Sequence, residues 1–146
     1  MKVFFDTTVL VDLDRQREDV LRMLEKVTAA GHEMWISTMS VSEIFLGAFL
    51  QRDADAASLR ARKALSQFHW HDFDGDAALR TGQVAAFLMA HGRRIEYEDT
   101  AIARAFLAAK GDVIVTDNKA HFEAIPGLSG RVRTPKEAAK ELGGPK

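Results

Sequence analysis

Four places in this 146-residue chain set an acid or an amide where a strand should end or a helix should begin. Asp6, with Thr7 and Thr8, follows the apolar run Val3-Phe4-Phe5. Glu43 stands near the start of the helical segment that follows Met34-Trp35-Ile36 and Ser37-Thr38. Asp99 falls in the first turn of a further helix, and Asp117-Asn118 follow Val113-Ile114-Val115 and Thr116. Carboxylates gathered in one place repel one another, and the usual compensation is a divalent cation. With no cysteine in the chain, any metal must be held by oxygen or imidazole. An oxygen-only set favours a hard ion, Mg²⁺ or Mn²⁺. The chemistry such an ion supports is phosphodiester hydrolysis by metal-activated water, with open positions to take phosphate oxygens.

These positions can meet only if the elements carrying them share an edge. The three apolar runs are short, rich in β-branched or aromatic residues and free of polar alternation, as expected of strands buried on both faces. Segments of helical period lie between them. Val20, Leu21, Leu24 and Val27 form one face from Glu18 to Ala30; Val41, Ile44, Phe45, Ala48 and Phe49 do so from Ser40 to Leu50. Ile102, Ala105, Phe106 and Ala109 repeat the pattern from Tyr97 to Lys110, with Gly31 and Gly111 placed as C-terminal caps. Two more helices are expected over Asp53–Phe68 and Asp76–His91, a strand over Trp70–Phe73, an edge strand from Val132 and a short helix after Pro135. Strands alternating with helices predict an α/β domain with a mostly parallel sheet. In such sheets ligands bind beyond the carboxyl ends of the strands, where these acids fall.

Each acid also has a structural use. Asp6 is placed to cap a helix over Thr7–Leu13. Ser40 and Glu43 have the spacing of a capping box, and Asp99 suits a helix dipole. Asp117 and Asn118 are common turn formers. Asp99, however, stands three residues before Ile102 and seven before Phe106 and faces the core, where an unpaired acid is costly. Glu96 and Glu98 read as solvated. The case for a site rests on all four places together.

In order and spacing, the segments VFFDTTVLVDL, STMSVSEIFLGA, EDTAIARAFLAAKG and VIVTDNKAHFEAIPGL resemble the PIN-domain ribonucleases, most closely the VapC toxins of toxin–antitoxin pairs. The likeness runs from Lys2 to about Pro135. It implies a three-layer α/β/α sandwich around a mostly parallel central sheet, forming a single PIN domain over residues 1–146 with a short frayed tail over 143–146. It implies Mg²⁺-dependent endonucleolytic cleavage of RNA, with Mn²⁺ able to substitute, leaving a 5′-phosphate and a 3′-hydroxyl. Asp6, Glu43 and Asp99 would be the catalytic acids and metal ligands, and Thr7 and Thr116 supporting hydroxyls. The family's fourth acidic position corresponds to Asn118, so Asn118 or the adjacent Asp117 would supply that contact. Thr8 stands where Asn or Ser is more usual, and His121 replaces the common Asp before Phe122. Implied partners are a VapB-type antitoxin, gripped near the early helices in a toxin–antitoxin hetero-oligomer, and a second copy in a homodimer.

The remaining features are weaker. His69-Trp70-His71-Asp72 looks like a metal-binding tract but has no third ligand nearby, and reads as structural. Arg60, Arg62 and Lys63 read as a solvated helix face, whereas Arg93 and Arg94 precede the Asp99 helix and are the better candidates for RNA phosphates. Phe45, Phe49, Phe68, Phe73 and Phe87 read as core. Haloacid-dehalogenase-type phosphatases need a second Asp at position 8, where this chain has Thr, and a receiver domain needs an Asp after a middle strand. A PIN-like protein that binds RNA or a partner without cutting, or a housekeeping PIN nuclease, are the alternatives.

Composition agrees with an ordinary folded domain: 47% hydrophobic and 28% charged, with 20 Lys and Arg against 21 Asp and Glu. The formal net charge of −1 is not that of a bulk nucleic-acid binder. It does allow an acidic pocket set against separate basic clusters. The first apolar run is broken by Asp6, too soon for a signal-peptide core, so no membrane association and a cytoplasmic location are expected.

Overall fold

The structure, a computed structural model, describes residues 1–144. The elements run β1 (Lys2–Phe5), α1 (Thr7–Asp14), α2 (Glu18–Ala29), β2 (Glu33–Ser37), α3 (Thr38–Phe49), α4 (Ala54–Leu65), β3 (His69–His71), α5 (Gly75–Ala90), α6 (Tyr97–Ala108), β4 (Val113–Val115), α7 (Lys119–Glu123), β5 (Val132–Arg133) and α8 (Pro135–Glu141). The strands form one sheet in the order β3-β2-β1-β4-β5. Every pairing is parallel, with Phe4 opposite Trp35 on one side and Ile114 on the other. The expected mostly parallel sheet is thus parallel throughout.

Side-chain alternation along the buried strands divides the core into two layers. Val3, Phe5, Met34, Ile36, Val113 and Val115 face α1 to α4 and α8. Phe4, Ile114 and Val132, with Trp35 beside them, face the α5–α6 pair and the Phe122–Leu128 segment. Helices on both faces of a parallel sheet make the expected three-layer α/β/α arrangement. Because the chain builds β2 and β3 to one side of β1 and then β4 and β5 to the other, the strand order reverses at β1. The carboxyl end of β1 is therefore the topological switch point, where open α/β sheets leave a crevice for ligands.

Several boundaries differ from the sequence expectation. α3 begins at Thr38, with buried Ser37 as its N-cap accepting from the Met39 amide at 3.1 Å. Ser40 and Glu43 therefore lie inside the helix, and their capping box does not form. The capping box of this chain is at α8, where Thr134 and Glu137 satisfy each other's amides. Gly31 follows α2 with a positive φ of 80°, as a C-terminal glycine should. After α6 the left-handed residue is Lys110, φ 57°, and not Gly111. Gly111 is required for another reason: a Cβ there would run into the Phe106 ring and reach 3.1 Å from the Phe4 ring. β3 begins at His69, one residue before the expected strand, and α7 was not anticipated.

Of the phenylalanines expected in the core, Phe68 is buried, Phe45 and Phe73 are partly covered, and Phe49 and Phe87 are exposed at the ends of α3 and α5. Of the tail, Gly143 lies where an added Cβ would stand 3.3 Å from the Lys26 side chain, while residues 145 and 146 lie outside those described. Among the described residues, no helix is long and apolar enough to cross a membrane.

Candidate active site

Asp6 leaves β1 at the switch point with its backbone amide bonded to the Val115 carbonyl of β4 at 2.9 Å. That bond fixes the residue against the neighbouring strand. Asp6 holds the N-cap position of α1, yet its side chain makes no capping bond. Its Oδ2 instead accepts two hydroxyl protons, from Thr8 at 2.8 Å and from Thr116 at 2.8 Å. Its Oδ1 is buried and has no partner among the described residues. The residue as a whole is 1% exposed. A buried carboxylate oxygen without a donor is costly, and native structures rarely leave one unless an ion, a water or a ligand completes it.

The first turn of α1 brings Thr7 toward α3. Thr7 donates to Glu43 Oε1 at 2.8 Å, and its oxygen lies 3.0 Å from the hydroxyl of buried Ser40. Ser40 sits one turn before Glu43, so its part in the sequence pattern was to support the Thr7 contact and not to cap. Burial pushes the Glu43 carboxyl above its ordinary range, against the lowering effect of the Thr7 bond, and the charges of Asp6 and Glu98 add to it.

Asp99 enters from α6, half-buried in its first turn. Its carboxyl is raised to about 6, first by burial, then by the charges of Asp6 and Glu43. His121, exposed on α7, opposes the shift from 4.0 Å. The three acids expected to meet are thus close enough to perturb one another. His121, given no role from sequence, borders them.

The β4–α7 loop completes the surroundings. Thr116 is fully buried; it donates to Asp6 and accepts from the Asn118 amide at 3.0 Å. Asp117 is exposed, with its amide donating to Thr8 Oγ1 at 3.2 Å. Its carboxyl is raised by burial and by a shared hydrogen bond with Asp12, whose other neighbour is Arg17 at 2.9 Å. The side chain of Asp117 is therefore engaged with Asp12 more than with Asp6. Asn118 is exposed at the N-cap of α7 and makes no capping bond through its side chain.

Arg93 and Arg94 lie just before α6, in an open groove with Met89, Ile95 and Tyr97. Arg93 is tied to the Ala124 carbonyl at 2.6 Å. Arg60, Arg62 and Lys63 are on α4, exposed. Both His69 and His71 face the Phe4–Trp35 side, where they pack on those rings. Among the described residues, no three His, Cys, Asp or Glu side chains stand at metal-ligand spacing as they lie. The fit to a hard cation therefore rests on the donor set and on the orphaned Asp6 Oδ1. Asp6, Glu43 and Asp99 offer only oxygen, carry excess negative charge and leave one buried oxygen open. That is the set Mg²⁺ or Mn²⁺ would satisfy.

Known proteins resemble the chain in sequence and in fold. Over 128 residues the chain is 27% identical to the tRNA(fMet)-specific endonuclease VapC of Salmonella typhimurium, covering 88% of this chain and 95% of that protein. A chain in the DNA-bound VapBC structure from the same organism superposes with a TM-score of 0.78 at 26% identity, covering 92% and 98% of the two chains. Over most of its length the chain is similar to VapC-type proteins in sequence and in fold. Its fold also matches a chain of Rickettsia felis VapBC2 bound to promoter DNA, with a TM-score of 0.81 at 21% identity over 92% and 98% of the chains. No family model matches. Asp6 after β1, Glu43 on α3 and Asp99 on α6 stand at the crevice that the parallel sheet opens at its switch point.

Proposed function

We propose that this VapC-type chain is a Mg²⁺-dependent endoribonuclease and the toxin of a type II toxin–antitoxin pair. The observation that carries this reading is the meeting of Asp6, Glu43 and Asp99 at the carboxyl end of β1, with Asp6 Oδ1 buried and open. Asp6, Asp99 and Glu43 would hold the cation, and Asp117 or Asn118 would supply a further contact. When bound, the cation activates water and offsets charge on phosphate oxygens.

The chain's own residues do the rest. Thr8 and Thr116 hold Asp6 in one orientation. Thr7 fixes one oxygen of Glu43 and leaves Oε2 available to accept a proton from the attacking water. Burial raises the basicity of that carboxylate, which suits it to the task. Water adds to phosphorus as one of its protons passes to Glu43, the P–O3′ bond breaks, and the departing O3′ takes a proton from solvent, leaving a 5′-phosphate and a 3′-hydroxyl. Arg93 and Arg94 would meet backbone phosphates beside the pocket and make binding salt-dependent without choosing sequence.

The names of the relatives support RNA as substrate and a VapB-type antitoxin as partner, and a second copy of the chain in a hetero-oligomer is part of the same reading. The named substrate of the Salmonella protein makes initiator tRNA the first RNA to test. Purified chain incubated with tRNA and Mg²⁺ should produce discrete fragments, none in excess chelator. Asp6→Asn and Asp99→Asn should each lower the rate about 100-fold or more, given how strongly such chemistry depends on its metal carboxylates. Unchanged binding of RNA with no cleavage by wild type at any divalent concentration would instead favour a PIN-like binding protein.

A further inference from the structure

Thr8 is not one of the site's acids, yet two bonds meet at its hydroxyl. It accepts from the Asp117 amide at 3.2 Å and donates to Asp6 Oδ2 at 2.8 Å. Thr116 repeats the pattern from the other side, accepting from the Asn118 amide at 3.0 Å and donating to the same Oδ2 at 2.8 Å. A hydroxyl has one proton to give. With a backbone N–H already pointing at each threonine oxygen, each proton is directed to Asp6. Two successive amides of the β4–α7 loop are thereby relayed onto one carboxylate oxygen.

We propose that Thr8 is a positioning residue for the cation site, one arm of a paired hydroxyl clamp that makes Asp6 offer only Oδ1. This rests on the reading of Asp6 as a metal-site carboxylate. Oδ2 accepts two donors, so rotation of the carboxylate would forfeit both. Among the described residues Oδ1 has no hydrogen-bond partner and is left as the open oxygen. The two bonds, one from the Asp117 amide and one to Asp6, hold the hydroxyl in place. Thr8 also joins two separate elements, since the Asp117 amide belongs to the loop after β4 and Thr8 to the helix after β1. Here a single oxygen atom both accepts and donates.

The test uses the full chain without RNA. Mn²⁺ affinity would be measured calorimetrically for wild type, Thr8→Val, Thr8→Ala and Thr8→Ser, each checked for folding by circular dichroism. Partners one shell out from a metal commonly change affinity by about 10- to 100-fold. Thr8→Val and Thr8→Ala should weaken Mn²⁺ binding about tenfold or more, and Thr8→Ser should restore it to within about threefold of wild type. In the metal-free protein the Asp117 amide resonance should move in Thr8→Val and Thr8→Ala but keep its position in Thr8→Ser. Should Thr8→Val not fold, Thr8→Ala against Thr8→Ser makes the same comparison, differing by the hydroxyl alone. Equal Mn²⁺ affinity in Ala, Ser and wild type overturns the clamp while leaving the metal site intact. Failure of wild type to bind Mn²⁺ overturns the metal-site reading itself, and the clamp with it. Hydroxyl-dependent Mn²⁺ binding in a chain that cuts no RNA supports the clamp and removes the nuclease reading.

Discussion

Asp99 carries the electrostatic consequence of bringing three acids together. Its carboxyl titrates near 6 because burial and the charges of Asp6 and Glu43 favour the protonated form. A raised carboxyl pKa means that the folded state holds the proton more tightly than the unfolded one. Asp99 therefore costs no stability below its ordinary pKa of 3.8, and the cost grows between 3.8 and about 6 and is full above that. At 1.36 kcal/mol per pKa unit it is on the order of 2–3 kcal/mol, and the side chain's 16% exposure leaves little solvent to screen it. Asp99→Asn should stabilise the metal-free protein by that order at pH 7.5 and by much less at pH 4. Urea unfolding in chelator at the two values checks this, and equal midpoints at pH 7.5 would contradict it. The stability gained is the counterpart of the activity lost, as expected where a site is strained for function.

At the scale of elements, the packing behind the site sets how firmly the acids are held. Gly111 admits the Phe106 ring between α6 and β4, on the helix that carries Asp99. Gly111→Ala should destabilise by about 1–3 kcal/mol, the usual cost of forcing an extra carbon into a packed core. At α8, Thr134→Ala removes the capping box and should cost about 1 kcal/mol. Thermal unfolding in chelator measures both, and Gly111→Ala should show the larger fall in Tm.

These elements also show what could be read in advance. The strands were legible because Val3-Phe4-Phe5, Met34-Trp35-Ile36 and Val113-Ile114-Val115 are buried on both faces and need no polar alternation. Asp6 was legible because an acid directly after such a run has nowhere to go but the sheet edge. Ser40 and Glu43 were misleading because two serines stand close to the start of the helix, and only the fold decides that Ser37 caps it. Thr8 had no signal: a threonine in a first helical turn looks ordinary until the loop after β4, more than a hundred residues away, arrives beside it. α7 is short and its one buried residue, Phe122, gives no period to read.

For the molecule as a whole, net charge and fold stability are linked through the same pocket. The total of −1 conceals local excess: three carboxylates converge at the β1 end while Arg93 and Arg94 lie outside it. A cation that binds the folded chain and not the unfolded one stabilises the fold by mass action, by about 2.7 kcal/mol at 100 times its Kd. It also removes the repulsion that Asp99 bears, so the two effects reinforce each other. Below about pH 6 the cation must displace a proton from Asp99, and its affinity falls. Mg²⁺ or Mn²⁺ should therefore raise the Tm of wild type at pH 7.5 by several degrees and raise it much less at pH 5. Asp6→Asn should abolish the rise at both values, because the amide that replaces the carboxylate removes the charge at the centre of the site. A calorimetric scan with and without Mn²⁺ at each pH checks the sign. A larger shift at pH 5 than at pH 7.5 would mean that the cation binds somewhere other than among these acids.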